Sequence, residues 1–292
     1  MSPLVSVIMP AYQSEEFLLD AMASVLNQSH RELELILVND GAKDRTLELA
    51  LSVKDPRVRV IDQPNQGPAG ARNKGLELAQ GSWVAFLDAD DLWLPQKLEL
   101  QLAAAAGREV MVYSDYQMFQ GDQESSPKSF TFCPWFERQG DLYRQLIQHN
   151  FVGTLTVLLP KAVVDRVGRF NQDLFGPEDW DYWIRVAKEV PLVYLDQPLA
   201  RYRQHEAGIS KDYGRYEQSL QKVYDTYLLT QGTKEEISFG LWLFYRHMAH
   251  GFARQKAGRK ALRLWRQALA CRPWVKENLL SLGYVLFKGF GP

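Results

Sequence analysis

The chain has 292 residues, enough for one large domain or two modest ones, and 46% of them are hydrophobic, so a substantial core can be buried. A net charge of −1 gives no bulk attraction to nucleic acid. Two cysteines, Cys133 and Cys271, stand far apart without metal-type spacing, which fits a reducing compartment and gives no sign of a disulfide framework. Residues 4–9 form a short apolar run ended by Pro10, a first strand. No charged segment or long apolar stretch precedes it, so a secretory signal is not expected. Residues 15–28 have helical periodicity, residues 33–38 read as a second strand, and Asn39-Asp40-Gly41 is a turn. A helix over 46–53, a strand over 57–61 and a glycine-rich loop over 65–70 follow, then a helix over 71–79. The run Trp83 to Leu87 has the length and composition of a buried strand, and a helix follows over 95–106.

Strand alternating with helix predicts an α/β layer with a mostly parallel sheet and helices on both faces. Beyond it the pattern predicts a strand over 110–114, a variable loop over 117–137, a helix over 141–149 and a strand over 154–159. A helix over 178–189 and short strands over 192–195 and 199–203 come next. From Tyr213 the pattern is helical, which places a domain boundary at Lys211: residues 1–211 form the α/β domain and 212–292 a C-terminal helical region. The longest apolar runs, residues 151–164 and 279–290, are too short to span a bilayer.

In open α/β sheets, ligands bind outside the carboxyl ends of the strands. Four such ends are polar here: Pro10-Ala11-Tyr12, Asn39-Asp40-Gly41, the Gly67 loop and Asp88-Ala89-Asp90. Alternation along a strand sends Asp88 and Asp90 to the same side. Their charges repel unless a cation or hydrogen-bond donors offset them, and oxygen ligands of this kind suit Mg²⁺ or Mn²⁺. The plainer reading is an acidic turn leading into the next helix. Four polar strand ends in succession weigh against chance.

Together with Ala71-Arg72-Asn73-Lys74-Gly75, Pro177-Glu178-Asp179-Trp180-Asp181-Tyr182-Trp183 and Tyr202-Arg203-Gln204-His205, these segments resemble family 2 glycosyltransferases of the GT-A fold, over residues 4 to 210. The resemblance implies a nucleotide-diphosphate sugar donor, UDP- or dTDP-linked, and transfer with inversion at the anomeric carbon. It implies that Pro10, Ala11 and Tyr12 line the base and that Asp40 accepts a ring N–H. Gly70, Arg72 and Asn73 are expected near the diphosphate at a helix start, where the dipole favours anions. Asp88 and Ala89 are expected at the ribose or a metal-bound water. Asp90 would bind Mn²⁺ or Mg²⁺, with His205 as a further ligand. Asp179 would be the general base, with Glu178 and Trp180 bordering the acceptor. Plainer readings stand beside these: Asp40 as a turn residue, Tyr12 and Trp180 as core, Arg72 in a solvated salt bridge, His205 as a surface histidine.

The chain departs from the family pattern at Asn39, where Asp is usual, at Gln13, where Asn is usual, and at Ala42-Lys43, where Ser-Thr is usual. None removes an expected ligand. The Gln-x-x-Arg-Trp motif of processive synthases is absent, so one sugar per encounter is expected. The acceptor implied is a saccharide or a lipid-linked saccharide, in surface-polysaccharide or glycolipid assembly. Two other classes share parts of this pattern. A catalytically silent nucleotide-sugar-binding module acting through its helical tail would bind donor without turnover. A sugar-phosphate nucleotidyltransferase needs a Gly-rich loop where Pro10-Ala11-Tyr12 stands.

The tail has its own character. From Leu241 onward there are ten Lys or Arg and one acid, net +9, against 24 basic and 34 acidic residues before it, net −10. Residues 245–273 resemble one tetratricopeptide-type helical hairpin, which cannot bury its own face alone. The basic helices read either as a solvated face beside a packing seam or as a surface resting on anionic lipid. The expected location is the cytoplasm, or its boundary with the inner membrane face.

Overall fold

The structure, a computed structural model, describes residues 2–121, 123–124, 135–205 and 213–290. The chain divides into two compact units. One comprises Met1–Leu142, Phe151–Gln172 and Glu178–Gly208. The other comprises Tyr143–Asn150, Asp173–Pro177 and Ile209–Pro292. The boundary expected at Lys211 falls outside the described residues, and the second unit also takes two short segments from earlier in the chain.

The first unit opens with β1 (Val5–Ala11), α1 (Leu18–Leu26), β2 (Leu33–Asp40), α2 (Thr46–Ser52), β3 (Val58–Gln63), α3 (Gly67–Leu78) and β4 (Trp83–Phe86). β5 (Leu92–Trp93), α4 (Lys97–Ala105), β6 (Met111–Gln120) and β7 (Gln123–Glu124) follow. After α5 (Tyr143–Leu146), which belongs to the other unit, come β8 (Leu158–Pro160), α6 (Lys161–Val167), α7 (Glu178–Glu189) and β9 (Leu192–Arg203). The strand order is β3-β2-β1-β4-β8-β6-β9-β5, with β7 beside β6. β3, β2, β1 and β4 pair in parallel. β8 runs antiparallel to both β4 and β6, and β6 is parallel to β9. The sheet is therefore parallel in its first half and mixed in its second.

Alternation explains the two faces. Val5, Val7 and Met9 on β1 and Leu35 and Leu37 on β2 share one core with Leu18, Ala21, Met22 and Val25 of α1. The intervening residues Ile36 and Val38 meet Ala71 of α3 on the other face. α3 lies close to β1: a Cβ added at Gly75 would sit 2.3 Å from Cγ2 of Ile8. Gly75→Ala sets two effects against each other. Alanine gains up to about 1 kcal/mol in helix propensity. Overpacking against a fully buried isoleucine costs about 1–3 kcal/mol. The clash wins, and chemical denaturation should show a net loss of about 1–2 kcal/mol.

Three expectations change. β6 continues to Gln120 through residues expected to be a loop, because β9 pairs with it along its length. β9 is one strand rather than two, with a register shift opposite Ser114 to Tyr116 that accommodates Pro198, which has no N–H to donate. The expected strand over 154–159 begins as a 3₁₀ turn, Thr154–Thr156, and helix α6 starts directly after Pro160. The expected loop's residues 122 and 125–134 lie outside the described residues.

The second unit contains α8 (Tyr213–Val223), a π-helical turn over Tyr224–Leu228, α9 (Leu229–Gln231), α10 (Lys234–Arg254), α11 (Gly258–Cys271) and α12 (Glu277–Phe290). A capping box between Thr233 and Glu236 starts α10. The expected hairpin is present in α10 and α11, and α12 packs against both. Asn278 pins the three together. Its Oδ1 accepts from Trp242 Nε1 at 2.9 Å, its backbone carbonyl accepts from Trp265 Nε1 at 2.9 Å, and its Nδ2 donates to the Arg272 carbonyl at 2.6 Å.

Candidate active site

The carboxyl ends of β1, β2, β4 and β9, the helix α3 and the start of α7 carry the candidate residues, all within the first unit. Ala11 is buried at the end of β1 and Tyr12 is 50% exposed beyond it, so the core reading of Tyr12 falls. Gln13 follows in the left-handed region (φ 52°). Its Oε1 accepts from the backbone N–H of Lys43 at 2.9 Å and of Asp44 at 3.3 Å, which ties the loop after β1 to the loop after β2.

Asp40 ends β2 and is 3% exposed. Its Oδ1 accepts from Gln63 Nε2 at 2.7 Å and from the Gln66 N–H at 2.9 Å. The turn beyond needs a glycine: Gly41 has φ +70°, and a Cβ there would meet the Asn65 nitrogen at 2.8 Å. Asn39 donates from Nδ2 to Asp62 Oδ1 at 2.7 Å. An aspartate at 39 would face that acid and repel it, so the asparagine suits this partner.

At the end of β4 the three acids separate. Asp88 is partly exposed and accepts from Arg72 at 2.7 Å. Ala89 is buried behind it. Asp90 Oδ2 lies 2.8 Å from Nε2 of His205, whose ring packs on Phe17 at 5.2 Å. Burial, helped by the neighbouring Asp88 charge, pushes the Asp90 carboxyl pKa up, against the pull of His205. Asp91 does not lead a helix as an acid there ordinarily would. It is 1% exposed, precedes β5, and accepts from the Arg203 N–H at 2.8 Å. Burial and the two neighbouring acids push its pKa well up. Arg203 also donates from Nε to the Asp90 carbonyl at 2.7 Å, so β9 holds the acid loop from below.

Arg72 is the hub of the site. The first turns of α3 bury it to 4% exposure, with NH1 on Glu178 Oε1 and NH2 on Asp88 Oδ1, both at 2.7 Å. Burial works against its charge, but the Asp88 and Glu178 carboxylates outweigh it and the pKa rises. Glu178 fares differently. Burial, helped by the neighbouring Asp179 charge, pushes it up to about 7 despite the guanidinium, and its second oxygen, Oε2, is buried without a partner among the described residues. Gly70, on the same helix, has no room for a side chain: a Cβ would lie 2.5 Å from the Gln66 side chain.

Asp179 follows Glu178 in the first turn of α7. Its Oδ2 accepts from Thr154 Oγ1 at 2.9 Å and its Oδ1 from the Trp180 N–H at 2.6 Å. Burial raises its pKa, opposed first by Arg72 and then by these two bonds. Thr154 is the partner that sequence reasoning missed. It sits in a run read as strand, and a threonine there carries no signal of its own.

Two expected residues stand elsewhere. Asn73 is 6% exposed, and its amide is spent on one backbone unit: Nδ2 donates to the Phe170 carbonyl at 2.9 Å and Oδ1 accepts from the Phe170 N–H at 2.7 Å. It clamps the Phe170 loop to α3 instead of facing a diphosphate. Trp180 is 2% exposed and lies in the core, which leaves it no open ring face for an acceptor.

The donor set at Asp90 and His205 fits a divalent cation. A carboxylate oxygen and an imidazole nitrogen converge at hydrogen-bond distance, as adjacent ligands of one ion do. Among the described residues no group of three or more His, Cys, Asp or Glu converges. An ion there would take its other ligands from phosphates and water, as Mg²⁺ and Mn²⁺ do.

Residues 6–165 match the family model for glycosyl transferase family 2. The putatively named teichuronic acid biosynthesis glycosyltransferase TuaG of Bacillus subtilis is 33% identical over 72% of this chain and 82% of its own length. The UDP-Glc:alpha-D-GlcNAc-diphosphoundecaprenol beta-1,3-glucosyltransferase WfgD of Escherichia coli is 28% identical over 72% of this chain and 80% of its own. An uncharacterised glycosyltransferase of Rickettsia typhi is 32% identical over 70% of this chain, which spans 65% of that relative's length. Among solved structures, a mannosyltransferase from Pyrobaculum calidifontis in complex with GDP-Man and Mn²⁺ superposes with a TM-score of 0.66 at 16% identity, over 98% of this chain and 81% of that one. That likeness bears out the GT-A fold. With a family model covering more than half of its length and a relative at 33% identity, the chain belongs to glycosyl transferase family 2.

Proposed function

We propose that this glycosyltransferase moves one sugar from a UDP- or dTDP-sugar to a saccharide or lipid-linked acceptor, by single displacement with inversion, in surface-polysaccharide or glycolipid assembly on the cytoplasmic side of the membrane. The observation that carries the reading is the Arg72 bridge. One guanidinium spans Asp88, on the donor side, and Glu178, beside Asp179, so donor contact and base belong to one framework. WfgD supports a lipid-linked acceptor by the diphosphoundecaprenol in its name, and TuaG supports a biosynthetic role by the teichuronic acid in its own.

Asp179 takes the proton of the acceptor hydroxyl as that oxygen attacks the anomeric carbon opposite the departing diphosphate. Single displacement needs this one base and no nucleophilic side chain. Thr154 and the Trp180 N–H hold the carboxylate in place, and burial lifts its basicity above that of an ordinary carboxylate. Asp40, fixed by Gln63 and the Gln66 N–H, presents a carboxylate to a pyrimidine ring N–H, a charge-assisted bond. Asp90 and His205 would hold Mn²⁺ or Mg²⁺. The ion would neutralise charge on the leaving diphosphate.

The test is nucleotide release from a panel of nucleotide-sugars, with and without Mn²⁺, in the presence of lipid-linked and free saccharide acceptors. Release should depend on the metal. His205→Ala should raise the Mn²⁺ concentration needed for half-maximal release by about 10-fold or more, since even indirect supports of a metal site cost that much. Undiminished release in chelator would sink the metal's role. Tight donor binding without release for any acceptor would leave the silent binding module standing instead.

A further inference from the structure

Helix α12 is built inside out. It turns Asn278, Ser281, Val285 and Gly289 inward. These recur three or four residues apart, one face of a helix. The small residues allow close approach: a Cβ on Gly258 of α11 would come within 2.5 Å of the Gly289 carbonyl. The opposite face carries Leu279, Leu280, Leu286, Phe287 and Phe290, which are 75%, 75%, 47%, 69% and 55% exposed. At helical spacing these five fall within an arc of about 120°. Trp274, just before the helix, is 96% exposed. Single apolar residues on a surface need no explanation, but a continuous stripe of them does.

We propose that this stripe seats the chain on an anionic lipid bilayer, with α12 lying in the plane of the interface. Charge selects this occupant. Exposed Lys276 and Lys288 stand at the two ends of the stripe, and α11 exposes Arg259, Arg263 and Arg266. From Leu241 onward ten basic residues face one acid. A second copy seated through the same face would bring two such basic surfaces together, whereas anionic head groups complement them. Trp274 suits the level of the head groups, with an apolar ring and one polar N–H. The helix has 14 residues, too few to cross a bilayer, so it lies on the membrane. This inference is independent of the transfer reaction proposed above.

Vesicle co-sedimentation of the full chain tests it. The chain should sediment with vesicles of phosphatidylcholine mixed with phosphatidylglycerol, less so with phosphatidylcholine alone, and release should follow added salt. Leu280→Ser combined with Phe287→Ser should weaken partitioning about 100-fold, from the apolar burial lost. Lys276→Glu combined with Lys288→Glu should weaken it about 10-fold or more on anionic vesicles only. All four positions are exposed, so an unchanged thermal melt will certify folding of each variant. No binding, equal binding to neutral vesicles, or unchanged binding by the serine pair would overturn the proposal. So would a dimer in sedimentation equilibrium that the serine pair dissolves, since the stripe would then be covered by a second copy.

Discussion

Asp179→Asn is expected to lower turnover by about 10²–10⁴-fold, the range supplied by a positioned general base, while donor affinity stays in place. The substitution isolates the proton transfer because the site tolerates its shape. An asparagine carbonyl can accept the Trp180 N–H as Oδ1 does now. Its amide can donate to Thr154 Oγ1, which can accept as readily as it donates. What disappears is the ability to take a proton. Donor titration by thermal shift and nucleotide release in steady state separate the two quantities. Near-wild-type turnover in the variant would assign the base elsewhere.

The pH profile should agree. Burial pushes Asp179 up and carries Glu178 to about 7, and the two are neighbours on one helical turn. The wild type should therefore lose kcat/KM on the acid side as the pair takes up protons, and the limb belongs to the pair rather than to either residue. Asp179→Asn should flatten that limb in whatever activity remains.

The parallel half of the fold was legible because β1, β2 and β4 are largely buried and its strands end in turn residues, and because the intervening helices have clear periodicity. The motifs at the ends of β2 and β4 were legible for a similar reason: a carboxylate directly after an apolar run is conspicuous. The mixed half was not. β6 and β9 are long because they pair with each other, and pairing over so many residues of separation leaves no local trace. Polar side chains that bind backbone carry no pattern either. Asn73 looked like a donor contact because the helix was expected to begin at Ala71; α3 begins at Gly67 instead, and the Asn73 amide fits the Phe170 backbone. Trp180 looked like an acceptor platform because it follows the base, but the α7 stripe turns it inward. Asp91 follows the Asp88-Ala89-Asp90 motif with no pattern of its own, yet it anchors β9.

Arg72→Met should cost about 3–5 kcal/mol of stability, because removing one member of a buried ion pair leaves the other charge stranded. The stranded charge is that of Glu178, whose side chain is 4% exposed and already has one oxygen without a partner among the described residues. Asp88 is 35% exposed and suffers less, since water reaches it. The loss should depend on pH, with a definite sign. Burial holds the folded pKa of Glu178 above its ordinary value, so its protonated form favours folding, and that stability is lost as pH rises through the folded value. Without the guanidinium the folded value climbs further. Arg72→Met should therefore be tolerated best at mildly acidic pH and worst at alkaline pH. Adding Glu178→Gln should recover part of the loss at alkaline pH and little at acid pH. Urea denaturation of the wild type, the two single variants and the double variant at both pH values completes the cycle. A loss below about 1 kcal/mol that ignores pH would mean the pair behaves as a solvated surface bridge. The same cycle bears on catalysis. If Arg72 positions Asp88 for the donor, then Arg72→Met assayed at mildly acidic pH, where the fold persists, should raise the donor KM, and Glu178→Gln alone, which leaves the Asp88 bond intact, should not.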